Sequence, residues 1–145
     1  MTRALVISTL CRLALGAIWI WAGIAKAVDP LATLRSVRAY ELLPEQAAQL
    51  VAFGLPFFEI GLGGLLLAGV AVRPLALVSL GLLAVFMLAV GSAWARGLNI
   101  DCGCFGAGGV RGAYLQELLR DLGFGLPAAW LALRPASRFA LGSPA

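Results

Sequence analysis

The sequence predicts an all-α integral membrane protein, a four-helix bundle with short connections and a Cys-Gly-Cys loop between helices three and four. Three observations carry that expectation. Of 145 residues, 61% are hydrophobic and only 12% charged, whereas soluble domains carry about 25% charged residues. Four apolar runs approach the roughly 20 residues that a membrane-crossing helix needs. The longest late break between them reads Asn99-Ile100-Asp101-Cys102-Gly103-Cys104-Phe105-Gly106, with two thiols flanking one glycine. A single transmembrane domain is expected over residues 1–134, followed by a flexible tail over 135–145 rich in Pro, Ser and Gly. The net charge is +4, but the basic residues are scattered singly and lack interleaved aromatics, which excludes a nucleic-acid surface.

The first span is placed at residues 4–27, with Arg12 as its early charge. Arg3 and Ala25-Lys26-Ala27 imitate a signal peptide and its cleavage site. The apolar stretch exceeds the about 7–15 residues of a secretory core, so a retained helix is expected. Asp29-Pro30 ends it, because the residue before proline is biased away from helical geometry. Over residues 31–45, Leu31, Leu34, Val37, Tyr40 and Leu42 or Leu43 fall on one helical face. That spacing allows a short amphipathic helix at the membrane interface or an ordered loop. The second span is placed at 47–72 and carries Pro56, Glu59, Gly61, Gly63 and Gly64, the glycines being suited to close helix approach. Arg73-Pro74 reads as a minimal turn. The third span follows at 75–95, then the glycine-rich thiol loop over 96–112, then the fourth span at 113–133 with Glu117, Arg120 and Asp121.

Charges inside lipid cost about 2.5–3.5 kcal/mol each on insertion scales, so those present are paired, snorkelling or functional. Lys26 lies near the end of the first span and can snorkel. Glu59 lies about 18 Å into the second span, too deep for a short carboxylate to reach water. Arg120 has Glu117, Asp121 and Glu59 as candidate partners in a purely structural role. The functional alternative is a polar pocket lined by Lys26, Glu59, Arg120 and Asp121 and roofed by the thiol loop. Both readings are compatible, since paired groups can also line a site.

Arginines divide almost evenly between the two ends, so charge alone does not orient the chain. Disulfides persist outside the cytosol, which puts a working Cys102/Cys104 pair on the extracytoplasmic face of the cell membrane and both termini in the cytoplasm. Cys11 then lies at the opposite end, beyond the about 7 Å between α-carbons that a disulfide tolerates, and reads as a small buried apolar residue. A disulfide across one residue closes a very small ring, gains little chain entropy, and suits exchange better than stapling. Arg96 and Arg111 flank the motif and favour thiolate, whereas Asp101 opposes it. Two thiolates also suit a soft ion such as copper(I). Zinc is disfavoured, as the chain has no histidine and no second cysteine pair.

The Cys-Gly-Cys-Phe-Gly run between the third and fourth apolar segments resembles the MauE branch of the DoxX-like membrane proteins. Ala22-Gly23-Ile24-Ala25-Lys26, Tyr40-Glu41-Leu42-Leu43-Pro44, and Pro56 with Glu59 recur in matching places, so the resemblance covers roughly residues 10–130. It implies a four-helix membrane bundle working beside extracytoplasmic thiol proteins, MauE being associated with maturation of a disulfide-rich enzyme subunit. In outline the arrangement is similar to quinone-coupled disulfide-forming proteins, including the vitamin K epoxide reductase family. The expected function is therefore thiol–disulfide exchange at Cys102 and Cys104 between a thioredoxin-like partner and a membrane quinone, with Lys26, Glu59, Arg120 and Asp121 around the quinone. Those families generally use a second, shuttle cysteine pair, and this chain has none. Soft-metal binding at the same cysteines, and a non-catalytic assembly role, are the alternatives.

Overall fold

The computed structural model describes residues 2–101, 103, 112–136 and 141. Five helices form over them: α1 (Thr2–Val28), α2 (Pro30–Ala39), α3 (Glu45–Ala68), α4 (Val72–Ala95) and α5 (Tyr114–Leu133). No strand occurs among the described residues. α1, α3 and α4 are long and apolar enough to cross a membrane, and the chain is a membrane protein. α5 has 20 residues but carries Glu117, Arg120 and Asp121 in its first half. It buries Tyr114, Glu117, Asp121, Ala128 and Leu131 on one face, while Leu115, Leu119, Leu122 and Leu126 are exposed. This amphipathy is inverted relative to that of a soluble helix, with polar groups inside and leucines outside.

Local chemistry explains the element boundaries. Asp29 caps α2, its side chain accepting from the Ala32 N–H at 2.9 Å, and Pro30 occupies the first helical position, where its missing N–H costs nothing. The amphipathic segment is thus a helix. Its buried residues are Ala32, Thr33 and Leu34, with Val37 packed beside them and Leu31 exposed. α3 ends at Gly69 in the left-handed region: the Gly69 N–H donates to Leu66 O and the Val70 N–H to Leu65 O, at 3.0 and 3.1 Å. α4 ends the same way, with the Gly97 N–H donating to Trp94 O and the Leu98 N–H to Ala93 O, both at 3.0 Å. Arg73-Pro74, expected as a turn, lies inside the first turn of α4 instead. The first four N–H groups of a helix have no intrahelical acceptor, so a proline there breaks no bond. The turn is made one step earlier, by Gly69 and by Ala71 at φ 45°.

α1 packs along α3, α4 along α5, and α1 also contacts α5. The α1–α3 seam depends on small residues. A Cβ added at Gly63 would lie 2.6 Å from Gly16 O, and one at Gly23 would lie 2.6 Å from Pro56 O. The sequence grouped Gly61, Gly63 and Gly64 as packing glycines, yet only Gly63 faces this seam; Gly61 and Gly64 have open space. α3 and α4, although consecutive, touch little. The main apolar core joins Leu15, Trp19, Leu62, Leu66, Val72, Ala76, Leu83, Ala128 and Leu131, with Cys11, a free thiol, packed against it. Arg12, also buried, donates through Nη1 to Leu66 O and Leu67 O at 3.3 and 2.9 Å, adding to the Gly69 bond at Leu66 O and reaching a second carbonyl of the last turn of α3, where intrahelical donors run out.

Candidate functional site

The buried charges lie between the main core and the loop-bearing end. Glu59 on α3 is fully buried, and Lys26 on the last turn of α1 is only 3% exposed. Lys26 Nζ donates to both Glu59 carboxylate oxygens at 2.9 Å, so Lys26 does not snorkel. A charge held this deep requires a partner, and a bidentate geometry meets both lone-pair sets at once. Nζ also stands 5.6 Å from the centre of the Phe86 ring, where the ring's negative face attracts it. Thr33 Oγ1 donates to Lys26 O at 3.1 Å, tying the end of α1 to α2.

Arg120 and Asp121 pair with each other on α5: Arg120 Nε and Nη2 donate to Asp121 Oδ1 at 3.1 and 3.0 Å. Asp121 is 2% exposed, and its Oδ2 has no hydrogen-bond partner among the described residues. Both lie within electrostatic reach of Lys26. Asp121, one of the three acidic candidates, thus forms an ion pair with Arg120, while Glu59 pairs with Lys26.

A cavity of about 350 Å³ opens from this charged layer. Lys26, Thr33, Val37 and Tyr40 line one side, Val51 and Leu55 of α3 face Val85, Phe86 and Ala89 of α4, and Gly103 closes the loop end. Its walls are overwhelmingly apolar. Leu42, Leu43 and Val85 at its rim are exposed, so it reaches the outer surface where α3 and α4 part. Of the four charged residues expected to line a pocket, Lys26 lines it and Glu59, Arg120 and Asp121 do not; Asp121 instead borders a space of about 10 Å³ that Phe86 also lines, about the size of one water.

Gly103 connects this cavity to the thiol motif. Its φ is +65°, and an added Cβ would fall 2.6 Å from Ser36 Cβ on α2. Asp101 Oδ1 accepts from the Gly103 N–H at 3.1 Å, a local turn of the kind aspartate favours. Upstream, Tyr114 Oη accepts from the Ile100 N–H at 3.3 Å. Arg96 reaches back to Tyr40 O, which holds the residue after α2 against the start of the loop. Cys102, Cys104 and Arg111 lie outside the described residues.

Thr33, Ser36, Tyr40 and Phe86 belong to the site without having been singled out as site residues from sequence. Tyr40 could have been noticed: it ends the apolar face of α2 and opens Tyr-Glu-Leu-Leu-Pro. Burial pushes its phenol well above the usual tyrosine range, and the carboxylates of Glu117, Asp101 and Asp121 act in the same direction. Tyr40 therefore stays a neutral hydroxyl beside the cavity.

No curated protein and no solved structure matches the chain. A family model described as methylamine utilisation protein MauE matches residues 4–134. That span takes in all five helices apart from the first residues of α1, and with them the ion pairs, the cavity and the loop. The chain belongs to the MauE family of membrane proteins.

Proposed function

We propose that the protein is a membrane thiol–disulfide redox protein of methylamine utilisation, passing electrons between an extracytoplasmic thioredoxin-like protein and a membrane quinone through Cys102 and Cys104. One observation carries the reading: Gly103, the residue between the two cysteines, lines the same apolar cavity as Lys26. A cavity of about 350 Å³ falls within the usual range of about 300–1,000 Å³ for small-molecule sites, apolar walls with few polar groups included. Those residues fit a quinone head: Val51, Leu55, Val85 and Ala89 offer apolar contact, Phe86 an aromatic face, and Lys26 a cation.

In the exchange step, a thiolate of the partner attacks one sulfur of the Cys102–Cys104 disulfide and forms a mixed disulfide. The partner's second thiol then displaces it. Two electrons and two protons thereby pass to Cys102 and Cys104, and the partner leaves as a disulfide. A quinone in the cavity supplies a two-electron, two-proton acceptor for reoxidising the pair. With a quinone bound, Lys26 would present positive charge from the cavity wall to an oxygen gaining negative charge, held in place beforehand by Glu59 and Phe86. Arg120 was expected to share this task, but its contact with Asp121 leaves it supporting the charged layer from outside the cavity. The reverse flow of electrons uses the same groups.

The reading includes α5 as a fourth span, which its outward leucines support. Four spans put the loop opposite both termini, on the extracytoplasmic side where disulfides persist. The test is thiol labelling of Cys102 and Cys104 in intact membranes, with and without added quinone. A shift of the pair towards disulfide on adding quinone is expected. Indifference to quinone together with protection from labelling by copper(I) would replace the redox reading with metal capture.

A further inference from the structure

We infer that the end of the bundle opposite the thiol loop binds an anionic phospholipid, with its headgroup on Arg3, Arg73 and Arg134 and an acyl chain in the groove beside them. The first observation is the distribution of charge. All seven acidic residues fall at 29–59 or 101–121, in the half that holds the Lys26–Glu59 pair or in the loops beyond it. The start of α1, the α3–α4 turn and the end of α5 carry arginines without one acidic residue. Those three segments share one end. Ser8 Oγ donates to Arg134 O at 3.1 Å, Trp130 Nε1 donates to Ser8 Oγ at 3.0 Å, and the Leu141 N–H donates to Ala68 O at 3.3 Å.

The state of these arginines is the second observation. Arg12 is buried and engaged with the carbonyls of α3. Arg3, Arg73 and Arg134 are exposed, and no ion pair involves them among the described residues. The Arg134 guanidinium lies 5.3 Å from the centre of the Trp130 ring, a tryptophan–arginine pairing suited to the headgroup level of a bilayer.

Shape is the third. A groove of about 540 Å³ runs along Ala4, Leu5, Ser8, Arg134, Pro135 and Ala136, and its surface is almost wholly apolar except at the arginine. A free phosphate would use the guanidinium and leave the groove empty; a zwitterionic lipid would fill the groove and leave the positive field uncompensated. A phospholipid with net negative charge matches both, as basic residues near a membrane surface attract anionic headgroups.

Native mass spectrometry of the full chain, released from micelles doped with equal phosphatidylglycerol and phosphatidylcholine of the same acyl chains, tests this. Retention of phosphatidylglycerol over phosphatidylcholine is expected, falling roughly fivefold for each arginine changed to glutamine. The triple variant Arg3→Gln/Arg73→Gln/Arg134→Gln should lose the preference while keeping its melting temperature in neutral detergent, since none of the three side chains is buried. Leu5→Trp, which fills the groove and leaves the charges, should reduce retention of phosphatidylglycerol as well. Equal retention of both lipids by the unaltered chain would overturn the inference, as would an undiminished preference in the triple variant. Displacement of the lipid by inorganic phosphate would overturn it in favour of a simple anion site. The outcome is independent of the redox reading, because none of these residues touches the cavity.

Discussion

Glu59 and Lys26 form the most consequential pair of side chains in the molecule, and their pairing is what the sequence did not disclose. Depth along each helix was legible from the helical rise, so Glu59 was recognisably in need of a partner. From sequence, Arg120 was the candidate cation and Lys26 was left to snorkel, because the true choice depends on how the helices rotate about their axes, which spacing alone does not give. The pairing alters what a substitution does. Lys26→Met leaves a fully buried carboxylate without its cation and should cost about 3–5 kcal/mol, read as a lowered melting temperature in detergent. Lys26→Met/Glu59→Gln should recover most of that loss and still fail in thiol–quinone turnover; normal turnover in the stable double variant would remove the cation from the proposed site. At Gly103 the left-handed φ of +65° and the contact with Ser36 act together. Gly103→Ala should displace the thiol motif and change the labelling rate of its cysteines several-fold. Adding Ser36→Gly should restore part of the rate, because it removes the clash and leaves the backbone strain. A labelling rate untouched by Gly103→Ala would show that the seat on α2 has no bearing on the thiols.

Helices were easier to read than their neighbours. Runs of apolar residues located α1, α3, α4 and α5 to within four residues at every boundary, whereas the period of Leu34, Val37 and Tyr40 left α2 open between a short helix and an ordered loop. The Arg73-Pro74 reading missed because proline is a breaker in mid-helix but tolerated in a first turn. The adjacency of α1 and α3 did have a signal: Gly16 and Gly23 lie seven residues apart, as do Pro56 and Gly63 on the facing helix. This seam gives a sharp comparison among three glycines of one helix. Gly63→Ala forces a methyl group towards the Gly16 carbonyl and should cost about 1–3 kcal/mol. Gly61→Ala and Gly64→Ala meet nothing and should be neutral or stabilising by up to about 1 kcal/mol, as alanine is the better helix former. Thermal unfolding of the three variants side by side measures the difference, and equal melting temperatures would mean that the seam opens to admit the methyl.

At the scale of the whole molecule, α1 with α3 and α4 with α5 form two close pairs, joined where α1 meets α5 and left apart where α3 faces α4. The membrane class was plain from composition, whereas the arrangement of pairs and the cleft between them follows from packing that no single segment encodes. Orientation is the property to measure next. On whole cells, an impermeant maleimide should modify a reduced Cys104→Ser variant at Cys102, and Cys11 should be spared until the membrane is permeabilised. Labelling of Cys102 only after lysis would turn the molecule over, and would move the proposed partner to the other compartment.

The parting of α3 and α4 has a consequence for how any ligand of the cavity is weighed. Its rim is formed by exposed leucine and valine side chains, and in the function proposed above a hydrophobic ligand reaches it from the lipid phase. The concentration that governs occupancy is then a mole fraction among lipids or detergent, a two-dimensional quantity in the bilayer, and molarity in water has little meaning. In quinone titrations at several detergent concentrations, the total quinone needed for half-occupancy should rise in proportion to the detergent present. Half-occupancy that ignores detergent would instead describe a ligand arriving from water.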